Sequence, residues 1–300
     1  MIRLLTFNSF SLLREDRSGN EAMAAAVASL SSVATTFDCH LLQHSADNCP
    51  LNSLGARDQQ AVLRGSVSEQ PGRVTVVTPG KSIACEFPDW VDVSIQTEAE
   101  STAVVEWLSR PARAADGLAL EWCHVNLLGE PDRVTWITEA LTAASAAVLA
   151  GVSETLVVTA IAGDVADCGR FESLLWEGTI RVPLWISGCG GGRVTHPTGS
   201  FDVLETILSS FNAAPDTTAD NRPVDLRRFG GGPSIVPPRS IRISQTGRDA
   251  IRTPEFLFVR SQSDEFGEQF ALYGKPHDIW NVHDLSREYP GVVDELLALL

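Results

Sequence analysis

Positive charge is scarce in this chain relative to negative. Its 300 residues carry 23 Lys and Arg against 38 Asp and Glu, a formal net charge of −15. Such a surface repels phosphate backbones and anionic headgroups, which argues against nucleic acid and membrane surfaces as partners. Long apolar runs are also lacking: residues 140–152, among the longest, are interrupted by Thr and Ser and fall short of the roughly 20 residues a membrane span requires. The apolar stretch 4–13 is broken by Asn8 and Ser9 and followed by Arg14, Glu15, Asp16 and Arg17. A small-residue cleavage site would stand there in a signal peptide, so the pattern predicts an intact, cytoplasmic N-terminus. The six cysteines, Cys39, Cys49, Cys85, Cys123, Cys168 and Cys189, include no Cys-x-x-Cys pair. Neither a disulfide framework nor a zinc ribbon fits, and reduced thiols are expected. The Gly-x-Ser-x-Gly elbow that would locate a serine hydrolase triad is missing too.

What is present is the composition of a folded globular chain, 44% hydrophobic and 20% charged. Residues 1–7, 73–78, 118–126, 155–160 and 182–187 are short apolar runs, and helical patterns at 21–30, 134–150 and 201–211 alternate with them. Runs apolar at nearly every position, interleaved with helices, mark parallel strands covered on both faces. The predicted fold is therefore α/β, a three-layer α/β/α arrangement around a mainly parallel sheet, spanning residues 1–211. Residues 212–238 hold Pro215, Pro223, Pro233, Pro237, Pro238 and the run Gly230-Gly231-Gly232, and read as a polar, unpatterned connector. Beyond it, strands at 240–244, 255–260 and 269–273 and an amphipathic helix at 291–300 predict a small antiparallel α+β subdomain over residues 239–300.

Several segments, in order, resemble the sulfatase branch of the alkaline phosphatase superfamily. The strongest is TLVVTAIAGDVADCGRFESLLWEGTIRVPLWI (155–186), similar to that family's strand, metal-binding turn, aromatic-Glu pair and Arg-Val-Pro-Leu strand. FDVLETIL (201–208) resembles its Asp-Leu-x-Pro-Thr-Leu helix start, with Glu205 where proline is usual. AIRTPEFLFVR (250–260) and QFALYGKPHDIWNVHD (269–284) resemble its C-terminal motif, and the opening strand, the helix 21–30 and Phe37-Asp38 sit where its first elements do. The resemblance covers roughly two-thirds of the chain, which looks pared down between about Pro50 and Arg110.

Members of that family hydrolyse sulfate esters with a formylglycine made from Cys or Ser in a Cys/Ser-x-Pro-x-Arg motif, beside a calcium ion. The chemistry demands such groups, because an ester anion repels any nucleophile until a divalent cation and basic side chains absorb its charge. Calcium in turn takes clustered oxygen ligands. At the matching positions this chain departs. Asn8 and Ser9 stand where the resemblance implies a metal-binding Asp pair. Ala160, Ile161, Ala162 and Gly163 stand where it implies Ser-Asp-His-Gly. Cys49, the candidate nucleophile, is followed directly by Pro50, Leu51 and Asn52 with no arginine, and Glu172 falls where a lysine belongs. These departures predict that the family calcium is absent, that no other cofactor replaces it, and that hydrolysis is lost. A scaffold, partner-binding or ligand-binding role, toward a protein or a small molecule, is the expectation. The alternative is an active hydrolase of sulfate or phosphate monoesters with a relocated site drawing on Asp164, Asp167, His40 or His44. A third reading is another enzyme using the old pocket without metal.

Other constellations favour plain readings. His40 and His44 share helical metal-ligand spacing, but residues 37–42 look like strand or loop. His124, on an apolar run beside Trp122 and Cys123, reads as a satisfied core histidine. Gly188-Cys189-Gly190-Gly191-Gly192-Arg193 lacks the Gly-Lys-Ser/Thr ending of a phosphate cradle and reads as a turn. Arg222, Arg227, Arg228, Arg239, Arg242 and Arg248 are expected to neutralise the acidic body from within rather than dock an acidic partner.

Overall fold

The computed structural model describes residues 2–7, 10, 20–43, 72–78, 91–97, 101–111, 120–125, 127, 132–160, 175, 177–209, 223–229, 239–245, 248–263 and 267–300. In chain order the body comprises β1 (Ile2–Phe7), α1 (Glu21–Val33), β2 (Thr35–Leu41), β3 (Gly72–Thr78), β4 (Val91–Thr97), α2 (Thr102–Ser109), β5 (Leu120–Val125), α3 (Arg133–Leu149) and β6 (Thr155–Ala160). It continues through the single turn α4 (Glu177–Ile180), β7 (Arg181–Ile186), β8 (Gly192–Val194), β9 (Thr198–Gly199) and α5 (Ser200–Ser209), then a 3-10 turn at Leu226–Phe229. The second sheet is β10 (Ile241–Gln245), β11 (Arg248–Arg252), β12 (Phe256–Ser263) and β13 (Gly267–Gly274), closed by α6 (Pro290–Leu297).

The large sheet has the order β4-β3-β5-β1-β6-β7-β2-β8, with β9 beside β2. β4, β3, β5, β1 and β6 run parallel, and β1 sits centrally, Phe7 level with Val125 on one side and Ala160 on the other. A strand buried on both faces must be apolar at odd and even positions alike, and β1 shows what each set does. Leu5 and Phe7 face α1, α2 and α3 with Trp107, Ile137 and Leu141, whereas Ile2 and Leu4 face α5 and the 3-10 turn with Val203, Leu204, Ile207, Leu226 and Phe229. The result is the three-layer α/β/α arrangement expected from the sequence.

Four details differ from that expectation. β7, read as one more parallel strand, is antiparallel to both β6 and β2, because a short buried strand shows the same apolar run in either direction. The stretch that looked pared down holds, besides the expected β3, the unpredicted β4 and α2; β4, with Asp92, Ser94 and Gln96 at alternate positions, is an edge strand and does not read as a buried run. The connector is not unpatterned throughout, since Leu226 and Phe229 are buried against α5 and Asp225 pairs with Arg227 at 2.7 Å. The second sheet has four strands rather than three, all antiparallel, the extra one being β11.

The second sheet is itself buried on both faces. Ile241, Ile243, Ala250, Leu257 and Val259 pack on Cys39, Leu41, Leu175 and Ile180 of the body, while Ile251, Phe258 and Leu272 pack under α6 with Val293 and Leu296. The strand period of two divides these sets residue by residue. Among the described residues no helix is long and apolar enough to cross a membrane.

Candidate functional site

In an open α/β sheet, ligands bind beyond the carboxyl ends of the strands. Here that edge collects the ends of β1, β5, β6 and β2, the start of the antiparallel β7, and the passage from β9 into α5. Of the residues singled out from the sequence, Asn8, Ser9, Cys49, Ile161, Ala162 and Glu172 lie outside the described residues, as do His44, Asp164 and Asp167. Ala160 is described: it is the last residue of β6, buried with Leu156 and Val158 against α1 and α3. Its methyl group offers no ligand atom where the resemblance implies a polar side chain.

His40 lies in β2 rather than on a helix, so the spacing to His44 carries no metal-ligand meaning. Its ring is buried, and Nδ1 meets Thr198 Oγ1 at 3.1 Å, the Thr198 hydroxyl donating in turn to the Cys39 carbonyl at 3.4 Å. That chain assigns the Nδ1 proton to His40. Burial pulls its pKa down from 6.5 to about 3, so His40 is a neutral packing residue at the strand-end edge.

The neighbouring polar groups are likewise spent on one another. Trp122 Nε1 donates to Thr6 Oγ1 at 2.7 Å, and the Thr6 hydroxyl faces His124 Nδ1 at 2.9 Å. Thr159 donates to the Pro183 carbonyl at 2.9 Å. The void between these groups and α5, lined by Thr6, Trp122, Thr159, Ser200 and Leu204, measures about 10 Å³, at most the room of one water. His124 is thus the satisfied core histidine its setting suggested.

The glycine-rich segment after β7 is a turn. Gly188 has φ 80°, and a Cβ there would come within 2.7 Å of the Glu154 carbonyl, which leaves glycine as the fitting residue. Arg193, at its end, pairs with Asp38 at 2.5 Å instead of facing a ligand. Of the basic stretch, Arg239 pairs with Asp202 at 2.8 Å and Arg227 with Asp225 at 2.7 Å, while Arg222 lies outside the described residues. Cys39, Cys123 and Cys189 are free, buried thiols, and burial pushes the Cys123 thiol up to about 12.

What sequence reasoning missed is a set of charges buried beside the strand-end edge. Glu177, opening α4, is 1% exposed; its Oε1 accepts from Arg252 Nε at 3.2 Å and its Oε2 faces Lys275 Nζ at 3.4 Å. Lys275 also donates to the Asp278 carbonyl and to Asn281 Oδ1. Asp202, in the first turn of α5, accepts from the Gly199 and Val224 amides and from Arg239. Burial pushes its carboxyl up, against the lowering pull of Arg239 and of those amides. Gln43 is a further node, accepting from the Phe201 amide at 3.1 Å, donating to the Arg242 carbonyl at 3.2 Å, and taking the Ser244 amide on its own carbonyl. Gly199 lies beneath it, and a Cβ there would overlap Gln43 Oε1 and displace that side chain.

The layering, the central position of β1 and the antiparallel second sheet make an α/β fold like that of solved sulfatases and phosphonate monoester hydrolases. The solved structures similar to it bear this out. A protein crystallised with its substrate D-glucosamine-2-N,6-O-disulfate matches with a TM-score of 0.68 at 10% identity, over 100% of this chain and 96% of its own. The phosphonate monoester hydrolase of Agrobacterium radiobacter matches at 0.63 and 11% identity, over 99% and 95% of the two chains. A sulfatase from Pseudoalteromonas matches at 0.62 and 8% identity, over 99% and 88%. No family model matches the sequence, and no curated protein does. The likeness is therefore one of fold, and it agrees with the resemblance read from the motifs.

The calcium that the resemblance implies would take carboxylates at the two strand ends, and the sequence places none in the two positions that follow either of them. β1 leads into an amide and a hydroxyl, Asn8 and Ser9, and β6 ends in Ala160 before Ile161 and Ala162. Calcium takes six to eight oxygen ligands with carboxylates prominent among them, and these residues supply no carboxylate, only the neutral side-chain oxygens of Asn8 and Ser9.

Proposed function

We propose that this chain is a sulfatase-like protein that does not hydrolyse sulfate esters and serves instead to bind a protein partner or a small ligand. One observation supports the reading above others. β1 and β6 are neighbouring parallel strands, with Phe7 level with Ala160, and the sequence continues from these two ends without a carboxylate in the next two positions of either. A sulfate ester needs preorganised charge at the transferring group, and losing one such stabiliser costs on the order of 3 kcal/mol, about a hundredfold in rate. Loss of the metal ligands, of the lysine and of the complete nucleophile motif compounds that figure. The free, buried thiols are compatible with a reducing compartment such as the cytoplasm.

Elemental analysis of the purified protein, joined to turnover of a chromogenic aryl sulfate and aryl phosphate with and without calcium, tests the reading. The expected outcome is substoichiometric divalent metal and background turnover, unchanged by Cys49→Ala. Stoichiometric calcium, or turnover abolished by Cys49→Ala, would overturn it in favour of a hydrolase with a relocated site.

A further inference from the structure

The second sheet carries its own reasons to hold together. Among the described residues all its strand pairing is internal, and one of its faces is closed by α6. Its other face meets the body through an apolar patch, two hydrogen-bonded links at Gln43, and ions. The ions are distributed unevenly. Arg252 and Lys275 come from the second sheet and its following turn, and Arg239 from the segment just before it, while the carboxylates they reach, Glu177 and Asp202, come from the body. Around Glu177 one anion faces two cations, with side chains 1%, 4% and 0% exposed. Two further groups act on this cluster: Asp278 on Lys275, and Arg181 on the neighbouring Cys39.

We infer that the second sheet is a separable cover keyed to the body by Glu177, and that its undocking uncovers Cys39, Leu41 and Ile180 while the body stays folded. Buried ions pay their desolvation cost only while docked, so they favour one register strongly and the docked state weakly. An element with a core of its own and a charged seam is the kind of unit that opens locally, below the global transition. Cys39 lies under the seam and Cys123 lies in the opposite layer. The two thiols therefore distinguish local opening from unfolding. Burial raises the pKa of Cys39 against the pull of Arg252, Arg181 and Lys275, which keeps it unreactive until the cover lifts.

The test is peptide-resolved alkylation of the full-length protein with iodoacetamide under native conditions. Glu177→Gln removes the anion that Arg252 and Lys275 share and leaves two buried cations; it should speed Cys39 modification by at least about tenfold, with Cys123 unchanged. Lys275→Met removes the surplus cation and leaves the Glu177–Arg252 pair, so it should change Cys39 far less. Equal acceleration of Cys39 and Cys123 in Glu177→Gln, no acceleration, or a Lys275→Met effect matching that of Glu177→Gln would each overturn the inference. Wild-type protein in urea below its unfolding transition gives an independent reading: Cys39 should react before Cys123, and simultaneous reaction would count against a separable cover.

Discussion

His40 shows how a residue suited to chemistry is turned to packing. Its imidazole, bonded to Thr198, is buried deeply enough that its pKa falls to about 3. The unfolded chain takes up a proton on this ring as pH drops through about 6.5, whereas the folded protein does not. Between those two values the unfolded state binds more protons, so stability is full above about pH 6.5 and is lost as pH falls, with a limiting slope of about 1.4 kcal/mol per pH unit. His40→Asn keeps a polar atom for Thr198 and removes the titration. Urea unfolding between about pH 5 and pH 7 should show the acid loss in the wild type and a flatter profile in the variant. Elsewhere at this scale, Arg3 is buried at the opposite edge of the sheet, pairing with Glu121 at 2.9 Å and lying 5.1 Å over the Trp107 ring. It is a structural ion, remote from the strand ends.

Among the elements, α1 illustrates agreement between sequence and structure at every level. Asn20 accepts from the Met23 amide as its N-cap, Glu21 follows in the first turn, and Met23, Ala26 and Leu30 turn inward at helical spacing. The 3-10 turn at 226–229 illustrates the reverse, a packed element inside a stretch whose proline and glycine content reads as a linker. Leu226 is fully buried against α5, and its amide donates to Thr206 Oγ1 at 2.8 Å. Leu226→Ala should therefore cost about 2–5 kcal/mol in chemical denaturation; a value near zero, as for a solvated linker, would contradict the packing. Between α2 and α3 runs an apolar groove of about 510 Å³ lined by Val105, Ala143, Ala146, Ala147 and Ala150.

For the molecule as a whole, the second sheet completes the hydrophobic core at the end of β2. Cys39, Leu41, Leu175 and Ile180 are buried by β10, β11 and β12 together with other body residues. A chain ending at residue 238 would keep Glu177 and Asp202 without Arg252, Lys275 and Arg239, and would expose an apolar patch with two carboxylates stripped of their cations. Such patches drive association. The truncated protein should bind a hydrophobic dye such as ANS and elute as aggregate on size exclusion, where the full chain does neither.

The sequence by itself determined the class of fold and the identities of the residues at the positions where the resemblance implies a site. Apolar runs alternating with helices specify a covered parallel sheet because burial on both faces leaves no polar position free. The identities of Asn8, Ser9, Ile161 and Ala162 are read directly from the chain. Strand direction was not legible for β7, since a doubly buried strand looks alike either way. β11 escaped notice because its terminal Arg252 points into the interior toward a carboxylate 75 residues away. The tertiary structure alone decided which charges meet: Glu177, Arg252 and Lys275 stand in three separate motifs, and only the docking of the second sheet on the body brings Glu177 to the two cations. Ion pairs between distant segments leave no periodic trace, because they depend on where strands end in space and not on spacing along the chain.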